Sequence, residues 1–304
     1  MSFDPRGSTT SVSAVASKLQ GRVALITGAG RGIGQAISCL FAAEGASLML
    51  ASRTAEELER TARECRARGA ACEVGTCDVS DREAVQRLVD SAMQRFERID
   101  VLVNAAGIYG PIGPAVEVDA HAWMRTLEVN TFGTFNVCQA VLPHMMARGG
   151  GRIVNFSGGG AATPLPRFSA YAVSKAAVVR LTETLAEEVK ARGITINAIS
   201  PGFIDTQMQD EVLRAGEAAG DLLGRVRALR ETGAGKTPID VPAKLALFLA
   251  SDDSRDLTGR VLAAPHDGWE HWDAEQIDAL AGTPWFTLRR IDPFTIEPLR
   301  DKRP

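Results

Sequence analysis

The stretch VALITGAGRGIGQAISCLF, residues 23–41, decides the fold. An apolar, β-branched run leads into a glycine-rich turn and then into a helical pattern, which predicts a strand, a tight turn and a helix. Glycines let the backbone approach a pyrophosphate closely, and the start of the helix supplies amide donors and a positive dipole end. The stretch therefore predicts a dinucleotide-binding turn, although Ile33 stands where the common GxGxxG spacing has its last glycine.

Short apolar runs alternate with longer amphipathic runs along most of the chain. Several of the short runs are apolar on both faces, as the strands of a sheet covered by helices on both sides must be. The alternation predicts an α/β fold with a doubly wound parallel sheet of the Rossmann type and about seven strands. The predicted strands are residues 23–27, 48–51, 72–77, 101–104, 153–156, 194–199 and 260–263.

The sequence also predicts where two helices begin and how the chain divides into a leader, a domain and an extension. Thr54 with Glu57, and Ser80 with Glu83, have the spacing of a capping box. Residues 1–19 are predicted to be a mobile leader, residues 20–264 a single dinucleotide-binding catalytic domain, and residues 265–304 a C-terminal extension. Residues 207–237 are rich in glycine and predict a mobile helical flap, and the three tryptophans of the extension indicate that it packs on another part of the protein.

Composition excludes several classes of protein. The 304 residues carry 34 Lys+Arg against 37 Asp+Glu, a net charge of −3, which gives no basic field for nucleic acid or an anionic membrane. No apolar run reaches the length of a transmembrane helix. The five cysteines form no CxxC pair and are expected to be reduced in a cytoplasmic protein. His266 and His271 flank helix-breaking residues, so we expect no metal site.

Four short motifs follow one another along the chain. They are Thr27-Gly28-x-x-x-Gly32-x-Gly34, Asn104-Ala105-Ala106-Gly107, Tyr171-x-x-x-Lys175 and Pro201-Gly202. In this order and at these distances they resemble the motifs of the short-chain dehydrogenase/reductase family, in its shorter, single-domain branch. The resemblance covers roughly residues 20–263 and implies an oxidoreductase that interconverts an alcohol and a carbonyl compound by hydride transfer.

Tyr171 and Lys175 form the predicted catalytic pair. Positions i and i+4 of a helix share one face, so the ammonium group is expected beside the phenol. A nearby cation favours the phenolate and would lower the tyrosine pKa from about 10 towards neutrality. A phenol tuned in this way exchanges a proton with a carbonyl oxygen. The resemblance further implies that Asn130 supports a proton-relay water near the lysine.

The chain departs from the family at the catalytic serine. Gly158 stands at that position, and Ser157 comes one residue earlier. A shift of one residue turns a side chain to the other face of a strand, so Ser157 reaches the substrate only if the backbone bulges. Ser169 and Thr163 are the alternatives, and otherwise the substrate oxygen lacks one donor.

The predicted cofactor is NADP rather than NAD. NAD-selective sites place an acidic residue at the end of the second strand, about 20 residues after the glycine turn. Here Ser52 takes that position, and Arg53 and Arg31 can pair with a 2′-phosphate. The resemblance implies these cofactor contacts: Gly28, Arg31, Gly32, Ile33, Gly34, Ser52, Arg53, Asp78, Val79, Asn104, Gly107, Tyr171, Lys175, Ile204 and Thr206.

These observations predict an NADP-dependent enzyme acting on CH–OH groups, with a moderately apolar small-molecule substrate. The alternatives are an epimerase or dehydratase that retains its cofactor, and a nucleotide-binding protein without enzymatic activity. Only the family resemblance implies an oligomer, a homodimer or homotetramer.

Overall fold

Seven parallel strands form one sheet in the computed structural model, which describes residues 17–290. The strands are β1 (Val23–Thr27), β2 (Ser47–Ser52), β3 (Cys72–Thr76), β4 (Val101–Asn104), β5 (Gly151–Phe156), β6 (Ile194–Ser200) and β7 (Val261–Ala263). Their spatial order is β3-β2-β1-β4-β5-β6-β7, so the chain reverses direction across the sheet between β1 and β4. The predicted doubly wound sheet is confirmed, and every strand end lies within two residues of its prediction.

Ten α-helices connect and cover the strands in the described residues. They are α1 (Gly32–Ala43), α2 (Ala55–Arg66), α3 (Arg82–Phe96), α4 (Ala120–Leu127), α5 (Gly133–Arg148), α6 (Ser169–Val189), α7 (Met208–Ala215), α8 (Asp221–Thr232), α9 (Asp240–Ala250) and α10 (Ala274–Ala279). A π-helical turn, Glu128–Phe132, joins α4 to α5. None of the helices in this part of the chain combines the length and the apolar composition that a bilayer crossing needs.

Two apolar layers enclose the sheet because successive strand residues point to opposite faces. In β1, Ala24 and Ile26 pack with α1, α2 and α9, whereas Leu25 packs with α3, α5 and α6. All five residues of β1 and all four of β4 are buried. The central strands are therefore apolar on both faces, which is the pattern that the sequence displays.

The segment after β7 packs on the domain as far as the structure describes it. The buried guanidinium of Arg260 donates to the carbonyl oxygens of Leu280, Thr283 and Trp285 at 2.5 to 2.8 Å. Trp269, Ile277 and Leu280 are buried in the layer that contains α1 and α9. At the other end Leu19 is fully buried in the same layer. Residues 1–16 and 291–304, in the predicted leader and extension, lie outside the described residues.

Both predicted capping boxes are wrong. The Thr54 side chain makes no capping hydrogen bond to α2. Helix α3 begins one residue later than predicted, because Asp81 accepts from the backbone amides of Glu83 and Ala84. The Ser80 hydroxyl donates instead to Asp78, at 2.7 Å.

Candidate active site

A cleft opens at the carboxyl ends of β1 to β4, where the chain reverses across the sheet. Ligands of open α/β sheets bind at such a switch point. The cleft is lined by residues 28–34 without Ala29, by residues 51–54, 77–79 and 105–108, and by Glu57, Val129, residues 206–208 and Glu211. Eleven predicted cofactor residues meet here: Gly28, Arg31, Gly32, Ile33, Gly34, Ser52, Arg53, Asp78, Val79, Gly107 and Thr206.

Two glycines of the turn, Gly28 and Gly34, leave no space for a side chain. A Cβ at Gly34 would overlap the carbonyl oxygen of Gly28, and a Cβ at Gly28 would lie 2.7 Å from the amide nitrogen of Ala106. Gly32 has a φ of +57°, in the left-handed region that favours glycine. Helix α1 begins in this turn without a side-chain cap, so its first amides remain available to an anion. The turn therefore fits the pyrophosphate of a dinucleotide.

Four predicted cofactor residues do not line the cleft. Asn104 is buried and donates to Asn155 Oδ1 at 2.9 Å, so its amide ties β4 to β5. Ile204 is buried beside the start of the flap, where its carbonyl oxygen accepts from Gln209. Tyr171 and Lys175 lie deeper, on α6.

Charged and polar groups surround the end of β2, where the adenosine ribose of a dinucleotide binds. Arg31 Nη1 donates to Gln207 Oε1 at 2.5 Å and lies 3.5 Å from Glu57 Oε1. Arg53 makes no ion pair or hydrogen bond with any residue in the described range. Sequence reasoning missed Glu57 as a site residue because its spacing from Thr54 indicated a helix cap. Its side chain instead turns into the cleft, next to Ser52 Oγ and Gly30.

Asp78, at the expected adenine position, is held by three donors from two residues, one of them the Ser80 backbone amide at 3.0 Å. The Arg125 guanidinium donates to it at 2.5 Å, and Ser80 donates at 2.7 Å. Burial opposes ionisation, but the hydrogen bonds from Ser80 and Arg125 keep the pKa of Asp78 below its ordinary value. The carboxylate is thus ionised and fixed at the edge of the cleft.

The two residues of the predicted catalytic pair lie close together, one helical turn apart on α6. Tyr171 and Lys175 are only 8% and 5% exposed, and Lys175 Nζ lies 5.7 Å from the centroid of the tyrosine ring. Lys175 Nζ donates to the carbonyl oxygen of Phe156 at 2.9 Å. A Cβ at Gly107 would lie 3.5 Å from Nζ, so the amine borders the loop that lines the cleft.

The prediction that Lys175 lowers the tyrosine pKa is wrong. Burial, and then the neighbouring Tyr109, raise the pKa of Tyr171 above its ordinary value. Burial also lowers the pKa of Lys175 to about 8. The physical reason is desolvation: the described residues give the Tyr171 hydroxyl no hydrogen bond that would stabilise a phenolate, and the ammonium charge is itself disfavoured.

Asn130 is fully buried in the π-helical turn between α4 and α5. Its Oδ1 accepts from the amide of Ile108, and its Nδ2 donates to the Ile108 carbonyl oxygen and to Ser174 Oγ, each at 2.9 Å. A Cβ at Gly107 would lie 3.3 Å from Asn130 Oδ1. Asn130 and Lys175 therefore border the same glycine, as a shared role requires.

Ser157, the residue before the family's serine position at Gly158, keeps the regular backbone pairing of a strand. The Ser157 amide donates to Ile199 at 2.9 Å, so the strand ladder continues through Ser157. Its hydroxyl is buried and has no hydrogen-bond partner among the described residues. Ser169 is engaged elsewhere, since its hydroxyl accepts from the indole of Trp123 at 3.0 Å, and Thr163 is exposed.

The predicted flap is helical and covers the tyrosine. Helices α7 and α8 bury Val212, Leu223 and Val226 against Tyr109 and Tyr171. The rings of Tyr109 and Tyr171 meet edge to face, with their centroids 4.8 Å apart. Tyr109 is a site residue that sequence reasoning missed, because no motif marks it.

Comparison with known proteins identifies the family of this chain. The family model for short chain dehydrogenases matches residues 22–216. The chain is 36% identical to the 3-oxoacyl-acyl-carrier-protein reductase FabG of Thermotoga maritima over 251 residues, covering 81% of this chain and 96% of the relative. It is 38% identical to the D-threitol dehydrogenase of Mycolicibacterium smegmatis over 242 residues, covering 80% and 90%. The chain therefore belongs to the short-chain dehydrogenase family.

Solved structures show the same architecture. NAD+-bound xylitol dehydrogenase superposes with a TM-score of 0.76 at 32% identity, covering 81% of this chain and 98% of that one. An actinorhodin polyketide ketoreductase with NADPH gives 0.74 at 31% identity, covering 80% and 95%. The protein is an oxidoreductase that interconverts an alcohol and a carbonyl compound with a nicotinamide cofactor.

Proposed function

We propose that this enzyme reduces a carbonyl compound with NADPH and that Tyr171 donates the proton. The observation that carries the proposal is the buried Tyr171–Lys175 pair next to the loop that lines the dinucleotide cleft. The bound reduced nicotinamide supplies a hydride to the carbonyl carbon. A phenol with a raised pKa is fully protonated at neutral pH, so Tyr171 enters the reaction as an acid.

The neighbouring residues have separate roles in this proposal. Lys175, held by the Phe156 carbonyl oxygen, binds the hydroxyls of the nicotinamide ribose. Asn130 fixes the backbone of Ile108 and supports the water that returns a proton to Tyr171. Ser157, whose buried hydroxyl lacks a partner among the described residues, can donate the second hydrogen bond to the substrate oxygen only if the backbone shifts at Gly158, because the ladder runs through Ser157 and residue 158 is the one that faces the Tyr171 hydroxyl.

Preference for NADP over NAD rests on the end of β2. Ser52 leaves this position without the carboxylate that would repel a 2′-phosphate, and Arg31 and Arg53 line the same part of the cleft. Structures of relatives contain NAD+ in one case and NADPH in another, so the cofactor depends on this chain's own residues. Of the two contacts expected at the nicotinamide end, Thr206 lines the cleft, whereas Ile204 is buried outside it.

We propose a moderately apolar substrate. Tyr171 belongs to an apolar cluster with Tyr109 and Phe168, and partly buried Ile112, Leu165 and Phe203 pack against this cluster. Side chains of this kind bind an apolar ring or chain by burying its surface.

The deciding experiment follows NADPH absorbance with a panel of apolar ketones. Tyr171→Phe should lower kcat by at least about 100-fold and leave NADPH affinity within about twofold, because it removes only the proton donor. Tyr109→Phe, which alters the other tyrosine, is the matched control and should retain most of the turnover. Full activity of Tyr171→Phe would contradict the proposal. Product formation at constant absorbance would indicate the epimerase or dehydratase alternative.

The remaining expectations also stand as proposals. They are a cytoplasmic location, a homodimer or homotetramer, and the division into leader, catalytic domain and C-terminal extension at residues 19/20 and 264/265. Cell fractionation and light scattering test the first two. Truncation at residue 264 followed by thermal unfolding tests the third.

A further inference from the structure

Two arginines face the end of the cleft that holds the adenosine ribose. Arg31 is already engaged by Gln207 and Glu57, whereas Arg53 makes no ion pair with any residue between 17 and 290. Such a pair of cations attracts a phosphate, and any carboxylate close to them competes with that phosphate. The carboxylates at this end of the cleft therefore bear on how well a 2′-phosphate binds.

Glu211 is one of these carboxylates, and it belongs to the flap. It lies in the first turn of α7, is half-buried, and lines the same cleft as Arg31, Ser52 and Arg53. Gln207, just before α7, holds the start of this helix against Arg31. The flap thus brings a negative charge from the far side of the cleft to the ribose end.

Four charged groups from three parts of the chain act on Glu211. Burial raises the pKa of Glu211, and Arg214 of its own helix, Arg31 of the glycine turn and Arg53 after β2 oppose that rise. The Asp210 charge raises the pKa of Glu211 further. The Glu211 charge in turn raises the pKa of Tyr109, which lies nearby. Partial burial weakens the screening of the carboxylate by water, so its field acts on neighbouring groups in the cleft.

We propose that Glu211 is a specificity-determining residue whose carboxylate weakens the binding of a cofactor with a 2′-phosphate relative to one with a 2′-hydroxyl. This proposal rests on the proposed function in placing the adenosine ribose at the end of β2. Two physical effects act in the same direction. The carboxylate repels the phosphate directly, and it neutralises part of the charge on Arg31 and Arg53 that would bind it. A 2′-hydroxyl carries no charge and is affected by neither.

The experiment measures dissociation constants of NADPH and NADH by fluorescence titration, without substrate. The two probes differ only in the 2′-phosphate. Glu211→Gln keeps the shape of the side chain and removes its charge, so NADPH should bind about fivefold more tightly and NADH within about 1.5-fold of the wild type. The gain should shrink in high salt, because the interaction is screened there.

Asp210→Asn is the matched control. It removes the same charge from the neighbouring residue of the same helix, but Asp210 pairs with Arg230 at 2.6 Å and does not line the cleft. Its ratio of NADH to NADPH dissociation constants should equal that of the wild type. An unchanged ratio in Glu211→Gln, or an equal change in both variants, would overturn the proposal.

The outcomes separate this proposal from the proposed cofactor. If wild-type protein binds NADH more tightly than NADPH, the NADP preference is wrong, but a higher NADPH affinity in Glu211→Gln still supports the role of Glu211. If the wild type prefers NADPH and Glu211→Gln does not change the ratio, only the role of Glu211 is wrong. If neither cofactor binds, both proposals fail.

Discussion

The hydroxyl of Tyr171 occupies the space that a side chain at Gly158 would need. A Cβ built at Gly158 would overlap the hydroxyl oxygen and lie 3.1 Å from the ring carbon Cζ. The replacement of the family's serine by glycine at residue 158 is therefore linked to the buried position of the Tyr171 ring. With glycine at residue 158, the phenol can lie against the end of β5.

Gly158→Ala tests this relationship. The new methyl group must displace the Tyr171 hydroxyl, and a displacement of about 1 Å at a reacting group can cost about 100-fold in rate. We expect kcat to fall by about 10- to 100-fold, with NADPH affinity within about twofold of the wild type. Steady-state kinetics and a fluorescence titration measure the two quantities.

Gly159→Ala is the control for that variant. A Cβ at Gly159 meets no atom within 4 Å, and its φ is not in the left-handed region. Its kcat should remain close to the wild-type value. Wild-type kcat in Gly158→Ala would mean that Tyr171 reacts from a position other than the one seen here.

Ser157→Ala distinguishes a catalytic hydroxyl from a structural one. The Ser157 hydroxyl has no partner among the described residues, so its removal breaks no protein hydrogen bond and the melting temperature should not fall. If a shift of the backbone at Gly158 brings the Ser157 hydroxyl to the substrate oxygen, the loss of this donor should lower kcat/KM about tenfold, the equivalent of about 1.4 kcal/mol.

Thr195→Val provides the comparison. Thr195 Oγ1 is also buried without a partner among the described residues, but Thr195 lies near the start of β6, at the opposite edge of the sheet from the cleft. Both variants should be as stable as the wild type, and only Ser157→Ala should lose activity. Equal activity of the two variants would leave Ser157 without a catalytic role.

The sequence predicted the sheet well because the signal is local and strong. Central strands that are covered on both faces must be apolar throughout, and the runs at β1 and β4 match their observed bounds. The capping box predicted at α3 failed because two polar side chains competed for the same amides. The Asp81 carboxylate accepts from the first amides of α3, and the Ser80 hydroxyl donates to the Asp78 carboxylate instead. The spacing rule for a capping box takes neither carboxylate into account.

The sequence predicted only those parts of the site that lie within one local motif. Motifs identified the glycine turn, Tyr171 and Lys175, whose roles depend on fixed spacing within one element. Burial raises the pKa of Tyr171, and part of that burial comes from the flap, which lies far along the chain from Tyr171, so no local sequence pattern contains it. Glu57 and Glu211 approach the cleft by tertiary packing, so they had no sequence signal of their own.

The pH dependence of stability should report the buried amine of Lys175. Burial lowers its pKa to about 8 from an ordinary 10.5, so between these values the unfolded chain binds more protons than the folded one. Stability attributable to this group therefore rises with pH across that window, and its cost is constant below pH 8. Between pH 8 and pH 10 the free energy of unfolding of the wild type, relative to Lys175→Met, should rise by about 2 kcal/mol.

Urea unfolding without cofactor at several pH values measures this difference. Lys190→Met is the control, because Lys190 follows the same helix but is exposed, and its curve should run parallel to that of the wild type. A wild-type curve parallel to that of Lys175→Met would show that the lysine is not desolvated in the folded protein.

Arg260 should hold the C-terminal segment on the sheet. Its guanidinium donates to three carbonyl oxygens of that segment at 2.5 to 2.8 Å, and Arg260→Met leaves all three without this donor. We expect the free energy of unfolding to fall by about 3 kcal/mol and limited proteolysis to cut first within residues 265–290. Arg255→Met, which breaks an exposed pair with Asp278, should change neither result. Unchanged stability and proteolysis in Arg260→Met would mean that apolar packing around Trp269 holds the segment without the arginine.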